Sequence, residues 1–177
     1  MIPPNPLNMK TLKDHWIGFN REKPALERII HECAKRAEKQ FGERYEVSER
    51  TKLLDAGLFL KIRRGRLKKP MKDEQVWIWA GIYPLEEDDV YVAIGLGWNR
   101  HKRGCQPSSS RFSAKLEERN FAGYVDNGYD EFYREDLLRK ILSRAKSFDD
   151  QERAVSGWLM KGLHDVERIF SSIYGLP

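Results

Sequence analysis

Three short apolar runs decide the fold of this chain: LFLKIRR at 58–64, VWIWAGIYP at 76–84 and VYVAIGLGW at 90–98. Side chains alternate in character along each run, which is the pattern of a β-strand with two different faces. One face is aliphatic, and the other is aromatic, glycine-rich and partly cationic. Because the connections are short, we expect neighbouring runs to pair as an antiparallel β-meander. The aliphatic face should then be the core face.

Amphipathic patterns on both sides of the meander predict helices. Apolar residues at three- and four-residue steps predict helices over 24–41, with Pro24 in the first turn, over 131–145, and after a capping box at Ser147. Weak alternation over 45–50 predicts an edge strand. The sequence therefore predicts an α+β fold, in which N-terminal and C-terminal α-helices pack on one face of an antiparallel sheet.

The remaining segments are expected to be irregular. Three prolines predict an irregular lead-in over 1–23, within which 15–19 has the pattern of a short strand. Polar residues over 104–130 predict a long loop with a short helix near 113–119. We expect the whole chain, 1–177, to form a single α+β domain.

Composition excludes several classes of protein. The chain has 177 residues and a formal net charge of +5, and 40% of its residues are hydrophobic, which is enough for a folded core. No stretch approaches the ~20 apolar residues of a membrane span. We see no export signal and only two cysteines, so we expect a cytoplasmic protein without a disulfide. Neither cysteine has a second one at metal-ligand spacing, and no phosphate-binding glycine loop is present, so we expect no metal and no cofactor.

Positive charge concentrates in two segments that the meander would bring to one end of the sheet. Seven basic residues and no acidic ones lie in the first segment, and three more lie in the second: Lys61, Arg63, Arg64, Arg66, Lys68, Lys69 and Lys72, then Arg100, Lys102 and Arg103. Such clusters attract phosphate backbones, which predicts nucleic-acid binding. The alternative is a solvated hairpin whose lysines keep a sheet edge soluble.

The aromatic side of the meander has two interpretations. Trp77, Trp79, Tyr83 and Tyr91 share one face with Gly95 and Gly97. Exposed aromatic rings beside cations hold single-stranded nucleic acids by stacking, which adds Trp77 and Trp79 to the predicted nucleic-acid site. Alternatively, the terminal helices or the 104–130 segment cover this face as a second core layer, since tryptophan is usually mostly buried.

One stretch resembles a known catalytic motif. GIYPLEEDDVYVAIG at 81–95 is similar to the strand pair of the GIY-YIG nucleases, with Ala93 where that family has its second tyrosine. The resemblance implies a metal-dependent nuclease. Its tyrosines, its arginine and its metal-binding glutamate would be Tyr83 and Tyr91, Arg100 or Arg103, and Glu131 or Glu135.

The sequence thus favours a non-catalytic domain that binds an anionic partner, most simply nucleic acid, through its basic segments. Two alternatives stay open. One is the nuclease, and the other is a protein-interaction subunit of a larger complex, since aromatic surfaces and amphipathic helices also suit protein partners.

Overall fold

The computed structural model of the chain describes residues 6–8, 15–52, 55–62, 76–85, 89–99, 110–126 and 129–174. Ten elements follow one another in these ranges: α1 (His15–Phe41), β1 (Tyr45–Lys52), β2 (Asp55–Ile62), β3 (Val76–Leu85), β4 (Asp89–Asn99), α2 (Ser110–Glu117), β5 (Ala122–Asp126), β6 (Tyr129–Leu137), α3 (Leu138–Ile141) and α4 (Phe148–Tyr174).

The six strands form one antiparallel sheet in the order β1-β2-β3-β4-β6-β5. The predicted meander of β2, β3 and β4 is confirmed, and β1 is the edge strand that the alternation over 45–50 indicates. The chain then returns to the sheet beyond β4. There β6 pairs with β4 along its whole length, and β5 forms the opposite edge.

The core lies between the aliphatic face of the sheet and the helices, as predicted for an α+β fold. The apolar stripe of α1 is buried against this face, and the apolar stripe of α4 completes the layer. Fully buried side chains include Leu26, Ile29, Ile30, Leu58, Leu60, Ile82, Val92, Ile94, Leu159 and Leu163. Each buried aliphatic side chain of this size contributes about 1.5–3 kcal/mol to folding, so this layer dominates the stability.

Side-chain hydrogen bonds fix the start of α4. The backbone N–H of Asp150 donates to the Ser147 hydroxyl at 3.2 Å, and the N–H of Ser147 donates to the Asp150 carboxylate at 3.2 Å. This is the predicted capping box. In the same first turn, the buried Gln151 amide oxygen accepts a 2.7 Å bond from the N–H of Leu7, and its amide nitrogen donates to the Leu7 carbonyl at 3.4 Å.

The N-terminal expectation differs from the structure, because α1 begins at His15 and not at Pro24. Residues 15–23 are helical, neither the irregular lead-in expected over 1–23 nor the strand expected over 15–19. Proline removes only the N–H that would bond to the carbonyl four residues earlier. The turns on either side of Pro24 retain their own hydrogen bonds, so the helix passes through it.

The helix expected over 131–145 was also wrong. The first part of this segment is β6, and only α3 is helical before α4 begins. A free edge of β4 was available for pairing, and such tertiary pairing overrides a local helical pattern. The long loop expected over 104–130 likewise contains β5, which pairs with β6, and α2 begins three residues before the expected 113–119 helix.

A close approach between α4 and the sheet depends on Gly162. A Cβ atom at this position would collide with Cδ1 of Ile94 and would lie 2.8 Å from Nη2 of Arg134. Arg134 lies under the helix, 3.1 Å from the carboxylate of Asp165, with its guanidinium over the rings of Phe121 and Trp158. A glycine therefore lets the helix backbone meet the sheet at this crossing.

We predict that Gly162→Ala destabilises the protein by about 1–3 kcal/mol, the usual cost of an extra methyl group in a packed interior. The control is Gly157→Ala in the same helix, where a Cβ meets nothing within 4 Å. That change should stabilise by ~0.4–1 kcal/mol, because alanine loses less backbone entropy on folding. Urea unfolding of both variants tests the contrast, and an equal effect of the two substitutions would contradict it.

A second prediction concerns pH. Burial raises the pKa of the Cys33 thiol from 9.0 to about 12. Between these values the unfolded chain loses a proton that the folded chain keeps, so the free energy of unfolding falls as pH rises above about 9, by up to about 1.4 kcal/mol per pH unit. Cys33→Ala should lose stability less steeply over this range. Urea unfolding at several pH values measures both slopes, and parallel slopes would refute the assignment.

Candidate functional site

On the sheet surface opposite the core, the residues whose side chains the structure describes include six half-buried aromatic ones, and we call this surface the aromatic face: Phe59, Trp77, Trp79, Tyr83, Tyr91 and Tyr133. Strand alternation places these side chains away from the core. The described helices join the sheet in one hydrophobic cluster that includes only residues of the opposite, aliphatic face. The expectation that the terminal helices cover the aromatic residues is therefore not met by α1 or α4.

The strand register aligns this face in rows. Phe59, Trp79, Gly95 and Tyr133 lie opposite one another across β2, β3, β4 and β6. In a neighbouring row Trp77 lies between Lys61 and Gly97. Each tryptophan of β3 thus has a glycine of β4 as its direct cross-strand partner.

Both tryptophan rings lie flat over these glycines. A Cβ atom at Gly97 would lie 2.6 Å from both Cε2 and Nε1 of Trp77 and 2.8 Å from Cζ2. At Gly95 it would lie 2.5 Å from both Nε1 and Cζ2 of Trp79, and closer still to the Cε2 atom between them. Near-equal distances to three bonded atoms mean that each glycine faces the plane of the ring. Each ring therefore covers the sheet with one side, and both tryptophans remain partly exposed.

Tyr83 stands against the end of this pair of rings. Its ring centroid is 5.7 Å from that of Trp79 at an interplanar angle of 85°, which is an edge-to-face contact. Its hydroxyl lies 3.8 Å from the position that a Cβ at Gly57 would take. The Tyr83 ring is therefore perpendicular to the ring of Trp79 and in contact with it.

The indole N–H of Trp79 is buried, and it has no hydrogen-bond acceptor among the described residues. A buried donor without an acceptor costs roughly 1–3 kcal/mol. The position of this ring is thus set by its packing on Gly95 and against Tyr83. A hydrogen bond does not anchor it.

The basic segments join the sheet next to Trp77. Lys61 lies opposite Trp77 in the register, β2 ends at Ile62, β3 begins at Val76 and β4 ends at Asn99. The two segments are therefore connected to strand ends at one end of the sheet. Of the predicted nucleic-acid-binding residues, the structure describes the backbone of three: Lys61, Trp77 and Trp79. The others lie outside the described residues: Arg63, Arg64, Arg66, Lys68, Lys69, Lys72, Arg100, Lys102 and Arg103.

The residues of the nuclease resemblance are only partly brought together. Tyr83 and Tyr91 are direct cross-strand partners. Glu135 lies opposite Ala93, about 7 Å along β4 from Tyr91, whereas Glu131 lies opposite Gly97, about 20 Å along the same strand. Arg100 and Arg103 lie outside the described residues.

A further group of acidic residues lies between α1 and β1. A cavity of about 310 Å³ between α1 and β1 is lined by Ala34, Lys35, Glu38, Glu46, Val47 and Glu49. The imidazole Nδ1 of His31 lies 2.8 Å from the Glu49 carboxylate at this groove. Among the residues that the structure describes, no three His, Cys, Asp or Glu side chains converge as a metal site would require.

No described helix has the length and apolar character needed to cross a membrane. Comparison of the chain with models of protein families, with curated proteins and with solved structures finds no match.

Sequence reasoning missed two features of the aromatic face. The local pattern places Tyr133 in a helix, so its position in the row of Trp79 was not foreseen. The support of the rings by glycine was not foreseen either, although the sequence carries a signal for it. Trp-x-Trp in one strand and Gly-x-Gly in the next come into register when the hairpin pairs.

Proposed function

We propose that this chain is a non-catalytic domain that binds nucleic acid, with its basic segments contacting phosphates and its aromatic face contacting bases. The observation that carries the proposal is the position of Trp77. It lies flat on the sheet in the row nearest the strand ends from which both basic segments continue.

Electrostatics supports an anionic partner. The segment from Lys61 to Lys72 contains seven basic residues and no acidic ones, and three basic residues follow β4. Antiparallel pairing of β2, β3 and β4 attaches both segments to the same sheet end. Each phosphate that such residues neutralise releases condensed counterions, which is the main driving force of nucleic-acid binding at low salt.

The aromatic face supports contact with bases. Flat rings on a sheet surface, turned outward next to cations, hold bases by stacking in many nucleic-acid-binding domains. Trp77 and Trp79 lie flat on the sheet and are partly exposed, and Phe59 and Tyr133 extend the row of Trp79 on both sides.

The alternative is a nuclease of the GIY-YIG type, and one observation favours it. Tyr83 and Tyr91 are adjacent on the aromatic face, with Glu135 one further strand away. Against it, Ala93 replaces the second tyrosine of that motif, and Tyr91 lies two residues, or ~7 Å, from that position. A displacement of ~1 Å already costs on the order of a hundredfold in rate.

Replacing Arg63, Arg64, Arg66, Lys68 and Lys69 together with serine should weaken nucleic-acid binding at least about tenfold in low salt. The dependence of affinity on salt should also flatten, by about one unit of slope for each phosphate that the variant no longer neutralises. Fluorescence anisotropy at several salt concentrations measures both quantities.

The matched control removes the same charge from exposed positions on and near the helices: Lys39, Arg144, Lys146, Lys161 and Arg168. If the basic segments bind locally, these five serines should leave the salt slope unchanged. Equal losses of affinity in the two variants would indicate a general effect of net charge. An unchanged affinity after the first substitution would place the binding surface elsewhere.

We further predict that the protein does not cleave plasmid DNA or RNA with Mg²⁺ or Mn²⁺, because Ala93 occupies the position of the motif's second tyrosine. Agarose gels after incubation with each metal test this. Cleavage that disappears in Tyr83→Phe would establish the nuclease and refute the non-catalytic proposal. Cleavage that persists in this variant would point to a contaminating enzyme.

A further inference from the structure

We infer that the nucleic acid bound by this domain is single-stranded, and that Trp77 and Trp79 each stack one of its bases. The inference rests on the proposed function and adds the form of the ligand. Its basis is the ring geometry: two indoles, each lying flat on a glycine of β4, side by side on one strand.

The spacing of the rings distinguishes a single strand from a duplex. Residues two apart on one strand face are separated by ~7 Å. Successive bases in a duplex are only ~3.4 Å apart along each strand, and their faces are covered by their neighbours. Two indole rings that lie side by side on the sheet therefore cannot each stack on one of two successive bases of a duplex. An extended single strand can splay its bases apart and place each on its own ring.

The residues on either side of the two tryptophan rings are consistent with a short row of bases. The Tyr83 ring lies at 85° to the Trp79 ring, so Tyr83 does not continue the flat surface of Trp77 and Trp79. At the other end Trp77 is the ring closest to the strand ends that lead into the basic segments. A strand that lies along β3 would have the base on Trp77 nearest to the strand ends from which the basic segments continue.

Glycine at positions 95 and 97 allows the rings of Trp79 and Trp77 to lie flat on the sheet. The methyl group of an alanine at 95 would collide with the six-membered and five-membered rings of Trp79, and alanine at 97 would press on Trp77. The indole must then tilt away from the sheet. Neither glycine has a positive φ, so alanine fits the strand backbone at both positions. Gly95→Ala and Gly97→Ala thus disturb this arrangement of the rings without removing an aromatic ring or a charge.

The test uses the full chain and labelled oligonucleotides of about 12 nucleotides, within the size range of single-strand sites. DNA and RNA are each offered as a single strand and as a duplex, and binding is measured by fluorescence anisotropy. The wild type should bind the single strands at least about tenfold more tightly than the duplexes. Gly95→Ala and Gly97→Ala should each weaken single-strand binding by roughly 5- to 100-fold, the range for loss of one stacked base.

Two further variants keep the test decisive. Gly157→Ala, in an open position of α4, should bind as the wild type does. If a glycine variant of β4 fails to fold by circular dichroism, Trp79→Leu replaces it, since leucine keeps apolar bulk on the strand but cannot stack. Quenching of tryptophan fluorescence by the single strand should accompany binding in the wild type and should decrease in Trp79→Leu.

The possible failures are distinguishable. Equal affinity for single strands and duplexes, or full single-strand affinity in folded Gly95→Ala, would overturn this inference and leave nucleic-acid binding intact. Absence of binding to every probe would overturn the proposed function as well. A dimer in sedimentation that Gly95→Ala converts to a monomer would assign the aromatic face to a second copy of the chain, and would also overturn the inference.

Discussion

Both long helices lie on the same side of a six-stranded sheet, and this one-sided cover is the constraint from which the rest of the structure follows. The aliphatic residues of the middle strands need a partner layer, and α1 and α4 supply it from opposite ends of the sequence. The other side of the sheet receives no described helix. It must limit its own exposure of backbone and apolar surface, and large rings laid across glycines achieve this because each ring shields a neighbouring strand as well as its own.

The helical side of the sheet differs, because charged side chains lie close to the core there and each is paired with a partner. Glu167 is buried at a helix face, where it lies 2.6 Å from the guanidinium of Arg44 and accepts a 2.7 Å hydrogen bond from Ser171. Arg134 is similarly enclosed by two rings and the carboxylate of Asp165. Partners for such charges are required, because an ion without one is expensive to bury. These contacts connect α4 to the turn between α1 and β1, through Arg44, and to strand β6, through Arg134.

Much of this architecture could be predicted from periodicity, and the exceptions have physical causes. Two-residue alternation predicted the meander and its core face, and the stripe and capping box of α4 predicted that helix. Pro24 was misleading because a single missing N–H does not stop a helix that is otherwise well packed. The segment at 131–145 was misread because its pairing partner, β4, is distant in sequence, and local patterns do not report such pairing. For the candidate site, the composition of the aromatic face was predictable, but the orientation of its rings was not, since that depends on which glycine each ring meets.

The hydrogen bonds between Leu7 and Gln151 have a consequence for how the chain acquires its structure. They join residues 144 positions apart, and α1 packs on α4 across a comparable separation. Contacts of this range form only after the intervening chain has been synthesised and ordered, which makes folding slow relative to helical bundles of similar size. The apolar stripe of α1 is synthesised early, but it is fully buried only after α4, the last described element, has been synthesised and has packed on it. During synthesis this stripe remains open to solvent, and we expect it to be the surface on which a chaperone would act.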